Sequence, residues 1–219
     1  MPLACPLLFT SAMDREERRL TDDVDPVAAT VDLYWIPLGA GARVVRLSGR
    51  LFEAISAGLH RREPRDLYHS ALVVVVPEGR FVIEQTPVPD ADGERRGAVV
   101  EGPVAARLAG RFRLFRYEVR RWRDGTIPDL AYAVASPVRV ANDRARAGQL
   151  LDLVPTVPPL VWGRDERRTG EMWNSNSVIS WLLASAGIDV GDIQPPHRGR
   201  APGWHAGLVV AGRGYMSSR

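Results

Sequence analysis

The residues of this chain best suited to chemistry fall in segments that lie far apart in the sequence. His69 precedes a run of apolar residues, and Glu84 lies in the next apolar segment. Much later, the pentapeptide Trp-Asn-Ser-Asn-Ser at 173–177 precedes another strongly apolar segment. A helix that begins there would present free backbone N–H groups and the positive end of its dipole, an environment that stabilises an oxyanion. Because Asn and Ser are also preferred helix caps, Asn174 and Asn176 are predicted either to cap the helix or to frame an oxyanion site.

His69 and Glu84 belong to the clearest β signal in the sequence. Two apolar segments, 68–76 and 81–86, flank a turn and predict a β-hairpin. The predicted register places Glu84 opposite Val73, on the face of His69 but about 13 Å from it along the strand. The pattern alone therefore leaves two interpretations open: a catalytic pair, or a histidine at a strand end beside a separately satisfied carboxylate.

A third feature is the segment 111–123, where six Arg residues alternate with aromatic side chains. Cations and rings in this arrangement match a platform for single-stranded nucleic acid. The same pattern is typical of a half-exposed strand in a protein whose only solvating cation is Arg. We favour the strand, and nucleic acid is not the expected partner.

Composition excludes several classes of chemistry. The chain has 219 residues and a net charge of +3, and all 29 of its basic residues are Arg. Without Lys there is no P-loop and no Schiff-base chemistry. The single Cys, Cys5, precedes every patterned segment, which excludes a Cys-based zinc or iron–sulfur site and a thiol nucleophile inside the fold. We expect no metal and no cofactor; the oligomeric state stays open.

The remaining patterns predict an α+β protein in which an antiparallel sheet packs against a few helices. We expect a disordered tail over 1–26, which begins at Met1 or Met13, one domain over 27–211, and a flexible tail over 212–219. The absence of a long apolar run, of a signal-peptide pattern and of paired Cys predicts a cytoplasmic protein without a membrane span. The predicted strands lie at 31–38, 43–47, 68–76, 81–86, 112–122 and, as an edge strand, 207–211; the helices at 49–61, 102–110, 142–154 and 174–187; and the loops at 87–97 and 155–172.

The order of these motifs resembles a known arrangement. A histidine that opens a strand, a hairpin that returns through a polar residue, and a later helix that opens with Asn-Ser-Asn-Ser are similar to the circularly permuted branch of the NlpC-type, papain-like superfamily. That branch includes the lecithin retinol acyltransferase-like proteins and the bacterial YiiX-type amidases. The resemblance spans about 68–187 and implies a permuted papain-like fold with hydrolysis or acyl transfer on amides and esters.

The resemblance also implies roles for three residues. His69 matches the base, Glu84 the residue that orients it, and Ser175 the nucleophile, although the family has Cys at this position. A thiol with a pKa of about 8.5 ionises near neutrality, whereas a serine hydroxyl needs a well-placed general base. Two hypotheses follow. We favour the first, in which the chain is a serine hydrolase or acyltransferase that acts on a small-molecule or peptide-like substrate, with N–H groups near Asn176 as the oxyanion donors. In the alternative, a protein of the same fold has lost the chemistry and binds a ligand or a partner.

Overall fold

A computed structural model of the chain describes residues 29–38, 65–88, 97–127 and 129–217. Over these residues the protein is α+β, as predicted, with a six-stranded antiparallel sheet and three α-helices. The predicted N-terminal tail, the strand at 43–47, the helix at 49–61 and most of the loop at 87–97 lie outside the described residues.

The sheet has the strand order β4-β5-β3-β2-β1-β6, and every neighbouring pair is antiparallel. The strands are β1 (Thr30–Pro37), β2 (Tyr68–Val76), β3 (Gly79–Pro87), β4 (Ala98–Pro103), β5 (Arg116–Arg123) and β6 (Val138–Ala141). The helices are α1 (Arg144–Leu153), α2 (Ser175–Ser185) and α3 (Trp204–Ser217). Short 3-10 helices cover Leu108–Arg111, Arg113–Phe115, Leu130–Tyr132, Val154–Thr156 and Pro196–Arg198.

The sheet separates two apolar clusters. One face, which we call the helix face, carries the larger core and packs against α1 and α2; it includes Leu33, Leu72, Val74, Ile83 and Val119. The other, which we call the outer face, carries a smaller cluster formed by Ile36, Ala71, Val73, Val82 and Ile127, against which Leu130 and Ala133 pack. Because β2 contributes to both clusters, its run of valines is buried on both sides, as the sequence predicts.

The predicted register of the β2–β3 hairpin is wrong. Val76 pairs with Gly79 and Leu72 with Ile83, so the turn contains two residues rather than four. Gly79 has a φ of 139°, a conformation that favours glycine over other residues. As a result Glu84, the residue after Ile83, lies two positions nearer to the His69 end of β2 than predicted.

Other local predictions are also corrected. β5 begins at Arg116 because the preceding residues form 3-10 turns, and these turns replace the predicted helix at 102–110. The segment at 155–172 is not simply a surface loop, since Val157, Leu160 and Val161 are buried. The predicted edge strand at 207–211 lies inside α3, which continues to Ser217, into the segment for which the sequence predicts a tail.

Two glycines, one in α3 and one just before it, let α3 approach α2 closely. A Cβ on Gly207 would overlap the Ser180 hydroxyl and the Ser177 carbonyl, and a Cβ on Gly203 would overlap the Asn174 side chain. Trp204, at the start of α3, packs against Trp35 of β1 with ring centroids 5.1 Å apart. α3 therefore lies over the β1 side of the helix face.

Candidate functional site

Asn174 caps α2. Its side-chain Oδ1 accepts hydrogen bonds from the backbone N–H groups of Asn176 at 2.9 Å and Ser177 at 3.3 Å. In return, the Ser177 hydroxyl oxygen accepts the N–H of Asn174 at 3.1 Å, which completes a capping box. The cap prediction for Asn174 is confirmed. The cap also occupies the Asn176 N–H, the group that the hydrolase hypothesis assigns to an oxyanion.

The Asn176 side chain ties α2 to β2. Its Oδ1 accepts a hydrogen bond from the Ser70 hydroxyl at 2.9 Å, and its Nδ2 donates to the carbonyls of Tyr68 at 3.0 Å and Pro202 at 2.9 Å. Asn176 and Ser70 are both buried. The Asn176 side chain is therefore a link between two elements, and it is not the cap of α2.

His69 points away from α2. Successive residues of a strand point to opposite faces, so His69 takes the outer face because Ser70 reaches α2 on the helix face. It pairs with Ile36, a member of the outer-face cluster. Burial lowers the pKa of His69, and the Asp129 carboxylate beside that cluster opposes the shift. The structure therefore does not bring His69 to Ser175.

Glu84 also lies on the outer face, within a buried ion cluster. It is opposite Arg120 of β5, whose Nη1 donates to Glu84 Oε1 at 3.0 Å. The Nε of the same guanidinium donates to Glu118. All three side chains are buried. Glu84 thus compensates Arg120 in the fold, and two of the three predicted catalytic residues lie on the face opposite Ser175.

Ser175 faces the part of the helix face away from α3. The hydroxyls of Ser177 and Ser180 donate to α3-side carbonyls, those of Gly203 at 2.8 Å and Trp204 at 2.7 Å. At 3.6 residues per turn, Ser175 lies about 200° around the helix from Ser177. Ser175 therefore lies on the side of α2 away from α3, and α2 also packs against β3. The Ser175 side chain makes no hydrogen bond to any residue in the described part of the chain.

A buried polar side chain without a partner among the described residues lies at this end of the helix face. Gln85 of β3 sits opposite Val119, a residue of the larger core, and is only 6% exposed. Neither its Nε2 nor its Oε1 has a hydrogen-bond partner among the described residues. Nε1 of Trp173, two residues before Ser175, meets no acceptor at full hydrogen-bond geometry but interacts with the Tyr117 phenol. We call Gln85, Trp173 and Ser175 the Gln85 cluster.

Tyr117 links Trp173 to the sheet. It lies next to Trp162, with ring centroids 5.9 Å apart, and its hydroxyl donates to the Leu160 carbonyl at 2.7 Å. Burial raises the pKa of the Tyr117 phenol, and the hydrogen-bonding interaction of the Trp173 side chain with that phenol opposes part of the shift. Trp173 is thus fixed at the edge of the core. The residues on either side of it, Met172 and Asn174, are half-buried, so Trp173 lies just beneath the surface.

Sequence reasoning missed Gln85, Ser70 and Arg120. The signal that could have found Gln85 is its position beside Glu84 in an otherwise apolar strand. Two adjacent polar residues in a strand must point to opposite faces, so one of them has to enter the helix face.

Comparison with known proteins returned no match to a family model, a curated protein or a solved structure. Within the described residues, no group of three or more His, Cys, Asp and Glu side chains is arranged to hold a metal ion. In the same part of the chain, none of the helices combines the length and apolar character that crossing a membrane requires.

Proposed function

We propose that the chain has a permuted papain-like fold that has lost the hydrolytic chemistry, and that it serves as a binding protein for an amide-containing, peptide-like ligand. The observation that carries this proposal is the placement of His69 and Glu84 on the outer face while Ser175 lies on the helix face. The ligand group would bind at the Gln85 cluster.

The surroundings of Ser175 support binding over catalysis. A serine nucleophile needs a base within hydrogen-bond reach, about 3 Å. The β2 side chain that meets the start of α2 is Ser70, a hydroxyl already bonded to Asn176. The Asn176 N–H, which would stabilise an oxyanion, is bonded to the Asn174 side chain. Both requirements of the hydrolase hypothesis are therefore unmet at this end of α2.

The Gln85 cluster supports an amide ligand. The Gln85 carboxamide offers a donor and an acceptor, and the Ser175 hydroxyl offers both, whereas the Trp173 N–H already interacts with the Tyr117 phenol. A peptide group presents one carbonyl and one N–H, so it can pair with this set. Leaving a buried amide unpaired costs about 1–3 kcal/mol. A ligand that pairs with Gln85 would account for a polar side chain in an otherwise apolar core.

A fluorophosphonate probe tests the absence of hydrolytic chemistry. The folded protein is expected to show no modification of Ser175 by mass spectrometry, and the Ser175→Ala variant to give the same result. Labelling of Ser175 that disappears in His69→Ala would instead establish the serine hydrolase and refute the binding proposal.

A panel of N-acetylated, C-methylamidated dipeptides tests the ligand class. Saturation-transfer NMR is expected to detect contact with the wild type and its loss in Gln85→Leu. Gln149→Leu is the matched control, because Gln149 is an exposed carboxamide on α1. If no dipeptide binds, or if Gln85→Leu binds as the wild type does, the amide site is refuted.

A further inference from the structure

A second feature, separate from the Gln85 cluster, is an exposed apolar loop at 107–116, formed by two consecutive 3-10 helices before β5. It holds four of the five exposed large hydrophobic residues in the described part of the chain; the fifth is Tyr132. The exposed fractions are 72% for Leu108, 67% for Phe112, 79% for Leu114 and 42% for Phe115.

The 107–116 loop is held by its own hydrogen bonds. The N–H of Phe112 donates to the Ala109 carbonyl at 2.9 Å, and the N–H of Phe115 to the Phe112 carbonyl at 2.9 Å. The Arg116 Nε closes the loop by donating to the Gly110 carbonyl at 2.6 Å. The backbone is thus satisfied locally while the large apolar side chains stay in solvent. Exposed apolar groups on an ordered loop mark an interaction site.

The loop itself carries only basic charges, and Arg116 at its end pairs with Glu101 at 3.3 Å. Residues 103–116 contain four Arg and neither Asp nor Glu. Arg111 and Arg113 flank Phe112, the aromatic residue between the two 3-10 helices. Arg107 at the other end pairs with Glu166, with a closest distance of 2.6 Å.

The neighbouring segment at 161–171 adds exposed Arg residues to this surface. Arg164 donates from Nε to the Ala105 carbonyl at 2.7 Å, which joins the segment to the base of the loop. Arg167 and Arg168 follow it and are exposed. Asp165 in the same segment accepts hydrogen bonds from the backbone N–H groups of Thr169 and Gly170, so this carboxylate is engaged locally.

We propose that the 107–116 loop docks on an anionic lipid surface. Its Leu and Phe side chains would enter the boundary between headgroups and acyl chains, while the Arg residues would contact lipid phosphates and carboxylates. The two most exposed side chains, Leu108 and Leu114, are aliphatic and cannot stack on bases. The segment 111–123 also offers fewer side chains to a nucleic acid than its sequence suggests, because Tyr117 and Arg120 are buried. The observations therefore favour lipid over nucleic acid.

Vesicle flotation tests the proposal with the full chain. The protein is expected to float with phosphatidylcholine vesicles that contain phosphatidylserine and to remain behind with phosphatidylcholine alone; added salt should weaken the binding. Leu114→Ser is expected to lower the partition coefficient about tenfold through lost apolar burial, and Arg111→Gln about fivefold. Tyr132→Ser, which removes an exposed aromatic residue elsewhere, should leave it unchanged. Circular dichroism establishes that each variant is folded.

Several outcomes would overturn the lipid assignment. These are failure of the wild type to float with anionic vesicles, and equal flotation of Leu114→Ser. A dimer in sedimentation velocity that Leu114→Ser dissociates would assign the loop to a second copy of the chain. Binding of a single-stranded oligonucleotide that Arg111→Gln and salt both weaken, without flotation, would assign the loop to nucleic acid.

Discussion

Two adjacent buried polar side chains of β3, Glu84 and Gln85, are treated in opposite ways on the two faces of the sheet. On the outer face, Glu84 and Glu118 share the guanidinium of Arg120, so each buried charge has a partner. On the helix face, Gln85 is the next residue after Glu84, yet its amide is unpaired within the described residues. A buried charge without a partner is too costly to keep, whereas a neutral amide costs only a few kcal/mol. On the outer face the buried charges are therefore neutralised within the fold, whereas on the helix face one neutral amide is left unpaired near the start of α2.

The largest expected effect comes from disrupting the outer-face ion cluster of Glu84, Arg120 and Glu118. Arg120→Met removes the cation between two buried carboxylates and should lower the free energy of unfolding by about 3–5 kcal/mol in urea denaturation. Arg121→Met is the matched control, because the neighbouring guanidinium is half-buried and donates to the Leu151 carbonyl. Equal losses in the two variants would mean that the outer-face ion cluster does not compensate its charges.

The next largest effect concerns Asn176, the paired carboxamide on the helix face. Asn176→Ala removes the side chain that pairs with Ser70, Tyr68 and Pro202, and should destabilise the protein by about 2–3 kcal/mol. Asn142→Ala, at an exposed position before α1, should change stability by less than about 0.5 kcal/mol. A loss for Asn176→Ala no larger than for Asn142→Ala would show that α2 docks without this link.

Replacement of the other carboxamide on the helix face, Gln85, should change stability in the opposite direction. Gln85→Leu replaces an unpaired buried amide with an apolar side chain of similar size. It should raise the melting temperature of the ligand-free protein, by an amount equivalent to about 1 kcal/mol. Gain of stability together with loss of dipeptide binding is the combination that the proposed function requires. A destabilised Gln85→Leu would mean that the native amide is paired after all.

The smallest expected effect is a change in the pH dependence of stability when His69 is replaced. Burial lowers its pKa in the folded protein, so below the ordinary value of 6.5 the unfolded chain binds a proton that the folded chain does not. The contribution of neutral His69 to stability is therefore complete above that pH and is lost as the pH falls through and below it. His69→Gln should flatten the fall in stability on acidification, whereas replacement of the exposed His205 should not. Unchanged curves for His69→Gln would contradict its burial in neutral form.

The sequence predicts the α+β class and most of the central elements, but it does not predict which way His69 points. The reason lies in β2 itself. Its valines are buried on both faces, so the strand has no polar side from which orientation could be read. Which residue meets Asn176 is decided by the docking of α2, a contact between positions 106 residues apart.

Strand β6 and the 3-10 turn before β5 also could not be predicted from local sequence patterns. β6 has four residues and is a strand because it pairs with β1. The residues 112–115 alternate as a strand would, yet they form a 3-10 turn with Phe112 and Leu114 in solvent. By contrast, Asn174 was predictable as a cap, because capping depends on neighbours within one turn.

The close contact between α2 and α3 has a consequence for local unfolding. The polar start of α2 depends on carbonyls at and before the start of α3, those of Pro202, Gly203 and Trp204. If α3 detaches, these bonds are lost together, and the cap residue Asn174 loses one of its partners. The amide protons of both helices should therefore exchange with deuterium in a single opening event, which makes the pair one cooperative foldon rather than two independent helices.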